Sequence, residues 1–115
     1  MQKSIIQTKS YQFSLSVIIL YKSLVKKKEF VFARQLLKSA TSIGANVEEA
    51  LAAQSKKDFI SKMAIASKEA RETKYWLRLI NDAQLVDKDL SHYLSKIEEL
   101  IKILTSIVKS TKENN

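Results

Sequence analysis

The segment Leu90-Ser91-His92-Tyr93-Leu94-Ser95-Lys96-Ile97-Glu98-Glu99-Leu100-Ile101-Lys102-Ile103-Leu104-Thr105-Ser106-Ile107-Val108 sets the fold class. Leu90, Leu94, Ile97, Ile101, Leu104 and Val108 alternate spacings of four and three, the seam of a helix that packs on other helices. Leu100, Ile103 and Ile107 place a second apolar stripe beside the first. The combined face is wider than one bundle core requires. It fits a helix wholly enclosed within the monomer or a subunit interface, and three neighbouring helices are too few to enclose it, which favours the interface.

The same periodicity recurs three times upstream. Phe13, Val17, Leu20, Tyr21 and Leu24 predict a helix over about residues 10–28, closed by Lys26-Lys27-Lys28 at the negative end of its dipole. Phe32, Leu36, Ile43, Val47, Ala50 and Leu51 predict a second over about 30–53. Phe59, Met63, Ala66, Ala70, Thr73, Leu77 and Ile80 predict a third over about 56–84, with Ser55 placed as its N-cap and Asp58 three residues on. The fourth is expected over about 87–109, leaving a polar, frayed tail at 110–115. With only a few residues between them, consecutive helices must run antiparallel. The predicted fold is all-α, a single up-down-up-down four-helix bundle whose second and third helices project beyond the others.

Composition agrees. The 115 residues include one glycine (Gly44), no proline and no cysteine. Sheets need turns every few residues, and turns draw on Gly, Pro, Asn and Asp, so an all-β or α/β chain is excluded. Without cysteine there are no disulfides, zinc–thiolate sites or thiol nucleophiles. The apolar run Val17-Ile18-Ile19-Leu20-Tyr21 is far short of the ~20 residues a membrane span needs. No signal sequence is visible, and a cytoplasmic protein is expected.

Twenty Lys and Arg against twelve Asp and Glu give a formal charge of +8, which favours polyanion partners. Seventeen of the twenty are lysine, the ordinary solubilising residue of helix surfaces. A sharper feature lies on the third helix, where Lys57, Lys68, Arg71, Lys74 and Arg78 fall within about 120° of arc and Tyr75 lies among them. Arginine grips phosphate bidentately and tyrosine stacks on an unpaired base. The same stripe reads equally well as a solvated face with Glu–Lys pairs.

Two polar stretches interrupt the apolar pattern. Ser39-Ala40-Thr41-Ser42-Ile43-Gly44-Ala45-Asn46 is rich in poor helix formers, with Gly44 costing about 1 kcal/mol against alanine. Its small side chains suit close helix packing or, alternatively, a kink or ligand-approach site. In the second stretch, Glu69 and Glu72 share a face with Ile65, Trp76 and Leu79, and carboxylates among apolar groups need partners. Arg34 and Asn46 on the second helix are the available ones. A di-iron bundle would use such glutamates together with Glu-x-x-His pairs, but the only histidine is His92. No metal, cofactor or catalytic constellation is expected, and the chain reads as non-enzymatic.

The run from Ala33-Arg34-Gln35-Leu36 to Val47-Glu48-Glu49-Ala50, with that from Ser55-Lys56-Lys57-Asp58 to Trp76-Leu77-Arg78-Leu79, resembles the signature of the 23S ribosomal RNA intervening-sequence proteins. Arg34, Asn46, Glu49, Glu69 and Glu72 match that family's polar positions, in packing or in binding. The resemblance implies an antiparallel four-helix bundle, association into a ring-like homopentamer, and RNA or DNA as partner. A similar protein, the accessory variability protein of diversity-generating retroelements, is a basic barrel that binds nucleic acid and a reverse transcriptase. The leading expectation is an oligomeric, non-enzymatic nucleic-acid-binding bundle; the alternative is a protein-interaction scaffold that binds no nucleic acid.

Overall fold

A chain with one glycine still has to turn three times, and at two of those turns an ordinary residue is held in a left-handed conformation. In the computed structural model, which describes residues 4–114, α1 (Ile5–Lys26) ends at Lys28 with φ 61°, and α3 (Lys56–Asp82) ends at Gln84 with φ 54°. Both ends are Schellman motifs. The Glu29 amide donates to the Leu24 carbonyl and the Lys28 amide to Val25, while Leu85 and Gln84 donate in the same way to Ile80 and Asn81. The turn into α3 from α2 (Phe30–Leu51) is set by Ser55, whose hydroxyl accepts the Asp58 amide at 3.0 Å, as the capping pattern predicts.

Cross-helix partners fix the direction of each helix. Gln7 meets Glu48, and Gly44 lies against Ser10 and Ser14, so α1 and α2 run oppositely. Glu49 pairs with Lys62 and Ser39 with Thr73, giving the same relation between α2 and α3. In α4 (Ser91–Glu113), Glu98 meets Lys74 and Thr105 meets Arg71, while the Asn114 carbonyl accepts from Lys56 at the start of α3. The bundle is antiparallel, up-down-up-down, with principal extents of 48 × 23 × 20 Å. Neighbours follow chain order around a square. α2 and α3 pack most closely, α1 and α4 approach least, and among the described residues no close backbone approach links the diagonal pairs.

Small residues explain the tight central pair. Ala33, Ala40 and Ala50 of α2 and Ala66 and Ala70 of α3 are fully or almost fully buried, so these two backbones approach closely. The larger side chains Leu20, Leu24, Leu36, Ile43, Met63, Leu77, Ile80, Ile97 and Leu104 fill the space between the four helices. Thr73 and Ser39 are the polar members of this layer: Thr73 donates to Ser39 at 2.9 Å, and Ser39 donates to the Leu36 carbonyl. Among the described residues no buried side-chain polar atom lacks a partner.

The polar stretch of α2 lies within one uninterrupted helix. Thr41, Ser42 and Asn46 each donate to the carbonyl four residues back, so their hydrogen-bonding capacity is met within the helix. A Cβ on Gly44 would sit 3.6 Å from the Ser14 hydroxyl, an ordinary contact.

Several expected boundaries move. α1 begins at Ile5 rather than near residue 10, because Ser4 caps it by accepting the Gln7 amide. α4 begins at Ser91 rather than 87: Val86 and Leu90 turn into the core, and Asp89 accepts both the amide and the hydroxyl of Ser91. It also runs on to Glu113, so the tail expected to fray is helical up to that point, while Asn115 lies outside the described residues. Consequently only α3, at 27 residues, outreaches the others; α2, at 22, does not.

The apolar excess lies elsewhere than the pattern placed it. In α4, Leu100 is buried and Ile103 and Ile107 are half-buried against the core. Leu51, expected inside, is exposed at the end of α2. On α1, however, Tyr11 (60 %), Leu15 (50 %) and Ile19 (59 %), with Ile18 beside them, form a stripe turned away from the core.

Candidate nucleic-acid interface

The basic stripe of α3 lies along its seam with α4. The register that pairs Arg71 with Thr105 and Lys74 with Glu98 brings cations of the two helices to one line. Three shallow depressions of about 390, 350 and 400 Å³ follow this seam from the start of α3 towards its end. The first is lined by Lys56, Lys57, Ile60 and Lys112. The second adds Ala64, Ser67, Arg71, Thr105, Val108 and Lys109 and shares Lys112 with the first. The third is lined by Lys74, Tyr75, Arg78, Glu98 and Ile101 and shares Arg71 with the second. Shared lining residues make them one furrow, cationic along its rims, with half-buried Ile60, Ile101 and Val108 below.

Among the described residues, seven Lys and Arg side chains face this furrow and one carboxylate interrupts them. Lys74 lies 2.5 Å from Glu98, and this hydrogen bond holds the Glu98 carboxyl below the usual carboxylate range, with the charges of Lys74, Lys102 and Arg71 adding to the effect. Arg71 donates to Thr105 at 3.2 Å, which spreads its guanidinium across the seam. Tyr75 is 54 % exposed at the far end. Its ring makes an edge contact with Trp76 at 5.4 Å; Trp76 in turn meets the edge of Phe32 at 6.1 Å and donates its indole N–H to Glu72 at 3.1 Å. The tyrosine is thus an exposed ring on a fixed mount.

Of the six residues the sequence nominated, Arg71, Lys74, Tyr75 and Arg78 come together in the third depression and Lys57 lines the opposite end. Lys68 is exposed and lies off the furrow. Reading α3 alone missed the contribution of α4. Lys102, Lys109 and Lys112 sit on one flank of its heptad seam, a signal that acquires meaning only when that flank is set antiparallel to α3.

The second set of nominated residues is spread over α2 and α3. Glu49 pairs with Lys62 at 3.1 Å, Asn46 donates to Ser42 of its own helix, and Glu72 holds Trp76. Among the described residues neither Arg34 nor Asn46 bonds to Glu69 or Glu72. The expected pairing fails because Glu72 is exposed and Glu69 half-exposed, so water meets the demand that burial would have created. No three His, Asp or Glu side chains converge as a metal site requires among the described residues. His92 lies at the α1–α4 seam, in a cleft of about 160 Å³ with Lys9, Lys96, Glu99 and Phe13.

The family model for the 23S rRNA-intervening sequence protein matches residues 2–106. The chain belongs to this family. A member of the S23 ribosomal protein family from Bacteroides thetaiotaomicron VPI-5482, a protein of unknown function solved by crystallography at 1.70 Å, is 44 % identical. That similarity covers 91 % of this chain and 96 % of the other, with a TM-score of 0.87. No curated protein matches. The family match and the structural similarity agree with the four-helix architecture. No helix among the described residues is long and apolar enough to cross a membrane.

Proposed function

We propose that this intervening-sequence family protein is a non-enzymatic, self-associating bundle that binds nucleic acid through the α3–α4 furrow. The observation that carries the reading is the convergence of cations from two helices: Lys56, Lys57, Arg71, Lys74 and Arg78 on one side and Lys109 and Lys112 on the other, with Glu98 the one carboxylate among the described lining residues. Each phosphate neutralised by such a row releases counterions, so affinity must fall steeply with salt. Fluorescence anisotropy with a structured RNA at low and high salt tests it. Binding at low salt that weakens with salt, and weakens further in Arg71→Ala and Arg78→Ala, is the expected result. No binding at low salt overturns it.

A second reading, a protein-interaction scaffold without nucleic-acid binding, draws on the outward apolar stripe of α1. Both readings share self-association, for which the family resemblance implies a homopentamer. Solution mass at micromolar concentration bears on it, and a monomer counts against either form of assembly.

A further inference from the structure

We infer that the furrow takes a single strand rather than a duplex, with one unpaired base laid against Tyr75; this rests on the proposed nucleic-acid reading and narrows it. A duplex offers its phosphates on outward ridges and keeps its base faces stacked inside. It would meet the rims of the furrow and leave Tyr75 and the apolar floor of Ile60, Ile101 and Val108 without partners. A single strand offers all three elements this surface carries. Its phosphates meet the Lys and Arg rims, its sugars and base edges lie along the Ile60–Val108–Ile101 floor, and a free base face meets the exposed ring.

The furrow's length sets the size of the strand, and the mounting of the tyrosine supports the assignment. The furrow follows α3 from Lys56 to Arg78, roughly 33 Å at helical rise, which spans about ten nucleotides when stacked and fewer when extended. The tyrosine is also mounted for the task. The Glu72–Trp76 hydrogen bond and the Phe32 edge contact hold Trp76, and Trp76 holds one edge of the Tyr75 ring, so docking a base costs little side-chain freedom.

The test compares three labelled probes at equal low salt: a twelve-nucleotide single-stranded RNA, the same sequence as DNA, and a twelve-base-pair RNA duplex. The full chain is used as wild type, Tyr75→Ala, Tyr75→Phe and Arg71→Ala, with circular dichroism confirming that each variant is folded. Expected is tighter binding of the single strands than of the duplex. Tyr75→Ala should weaken single-strand binding roughly 5- to 160-fold, the range of one lost base–aromatic stack. Tyr75→Phe should restore it, and neither should alter what duplex binding there is; Arg71→Ala should weaken every probe. The RNA and DNA arms show whether the 2′-hydroxyl adds to recognition of the strand. Duplex bound as tightly as single strand, or single-strand binding indifferent to Tyr75→Ala, overturns this inference while leaving the broader reading standing. Failure of every probe to bind overturns both.

Discussion

Gly44 and Gln84 hold each other's natural conformations. Gly44 sits inside α2 with helical backbone and room for a methyl group, whereas Gln84 occupies a left-handed position that costs a side-chain-bearing residue about 1 kcal/mol or more. Gly44→Ala should therefore stabilise the bundle by about 0.5–1 kcal/mol, and Gln84→Gly by a similar amount. Thermal unfolding should show each as a rise in Tm of about 2–5 °C, and a fall in either case would contradict the packing described at that residue. Glu98 is the residue to change in the furrow. Removing its charge in Glu98→Gln frees Lys74, so affinity for a single-stranded probe should rise and the salt dependence should steepen by roughly 0.7 in log–log slope. An unchanged slope would mean that Lys74 does not face the bound strand.

At the level of elements, α4 is tied to both of its neighbours by carboxylates. Lys74 of α3 holds Glu98, and Lys9 of α1 holds Glu99 at 3.0 Å, with Lys96 nearby; hydrogen bonding from these lysines lowers both carboxyls below their usual range. A lowered folded pKa gives stability that is present above the unfolded value and lost as pH falls through the folded one. Chemical denaturation should therefore show constant stability from pH 7 to about 5 and a decline below about pH 4. The decline should shrink in the double variant Glu98→Gln, Glu99→Gln, and an acid limb of equal depth there would place its origin elsewhere. The elements also show what the sequence discloses and what it withholds. The α4 seam from Leu94 onward and the Ser55 cap depend on neighbours along the chain, and both are found where periodicity and capping chemistry put them. The Ser4 cap is not legible in the sequence because only one apolar residue of that turn, Ile6, faces the core ahead of Ser10. The start of α4 is misleading in the sequence because Leu90, apolar for burial in the preceding loop, continues the helical spacing of Leu94 and Ile97. The furrow was half legible: five of its cations belong to α3, but its depth and opposite wall follow from the register against α4.

For the molecule as a whole, the distribution of apolar surface is the main departure from the sequence pattern. Summed along α4, the apolar residues suggest excess, yet Leu100 is covered and Ile103 and Ile107 lean on the core. The stripe that stays uncovered belongs to α1, where Tyr11, Leu15, Ile18 and Ile19 escape a periodicity search because the inward row Phe13, Val17, Leu20 and Leu24 already satisfies it. If self-association uses this stripe, Leu15→Glu with Ile19→Glu should reduce the solution mass to that of a monomer while leaving helicity unchanged. Sedimentation equilibrium distinguishes this from assembly through another face, which would leave the mass as in wild type.

The slender contact between α1 and α4 has a consequence for how the molecule breathes. Because α2 and α3 each have two close neighbours, and α1 and α4 only one, the central pair should exchange its amide hydrogens slowest and the flanking helices fastest. α1 is thus a loosely secured helix that also carries the exposed stripe. Copies joined through that stripe would clamp it, so opening of α1 should become rarer and melting temperature should climb as the protein is concentrated.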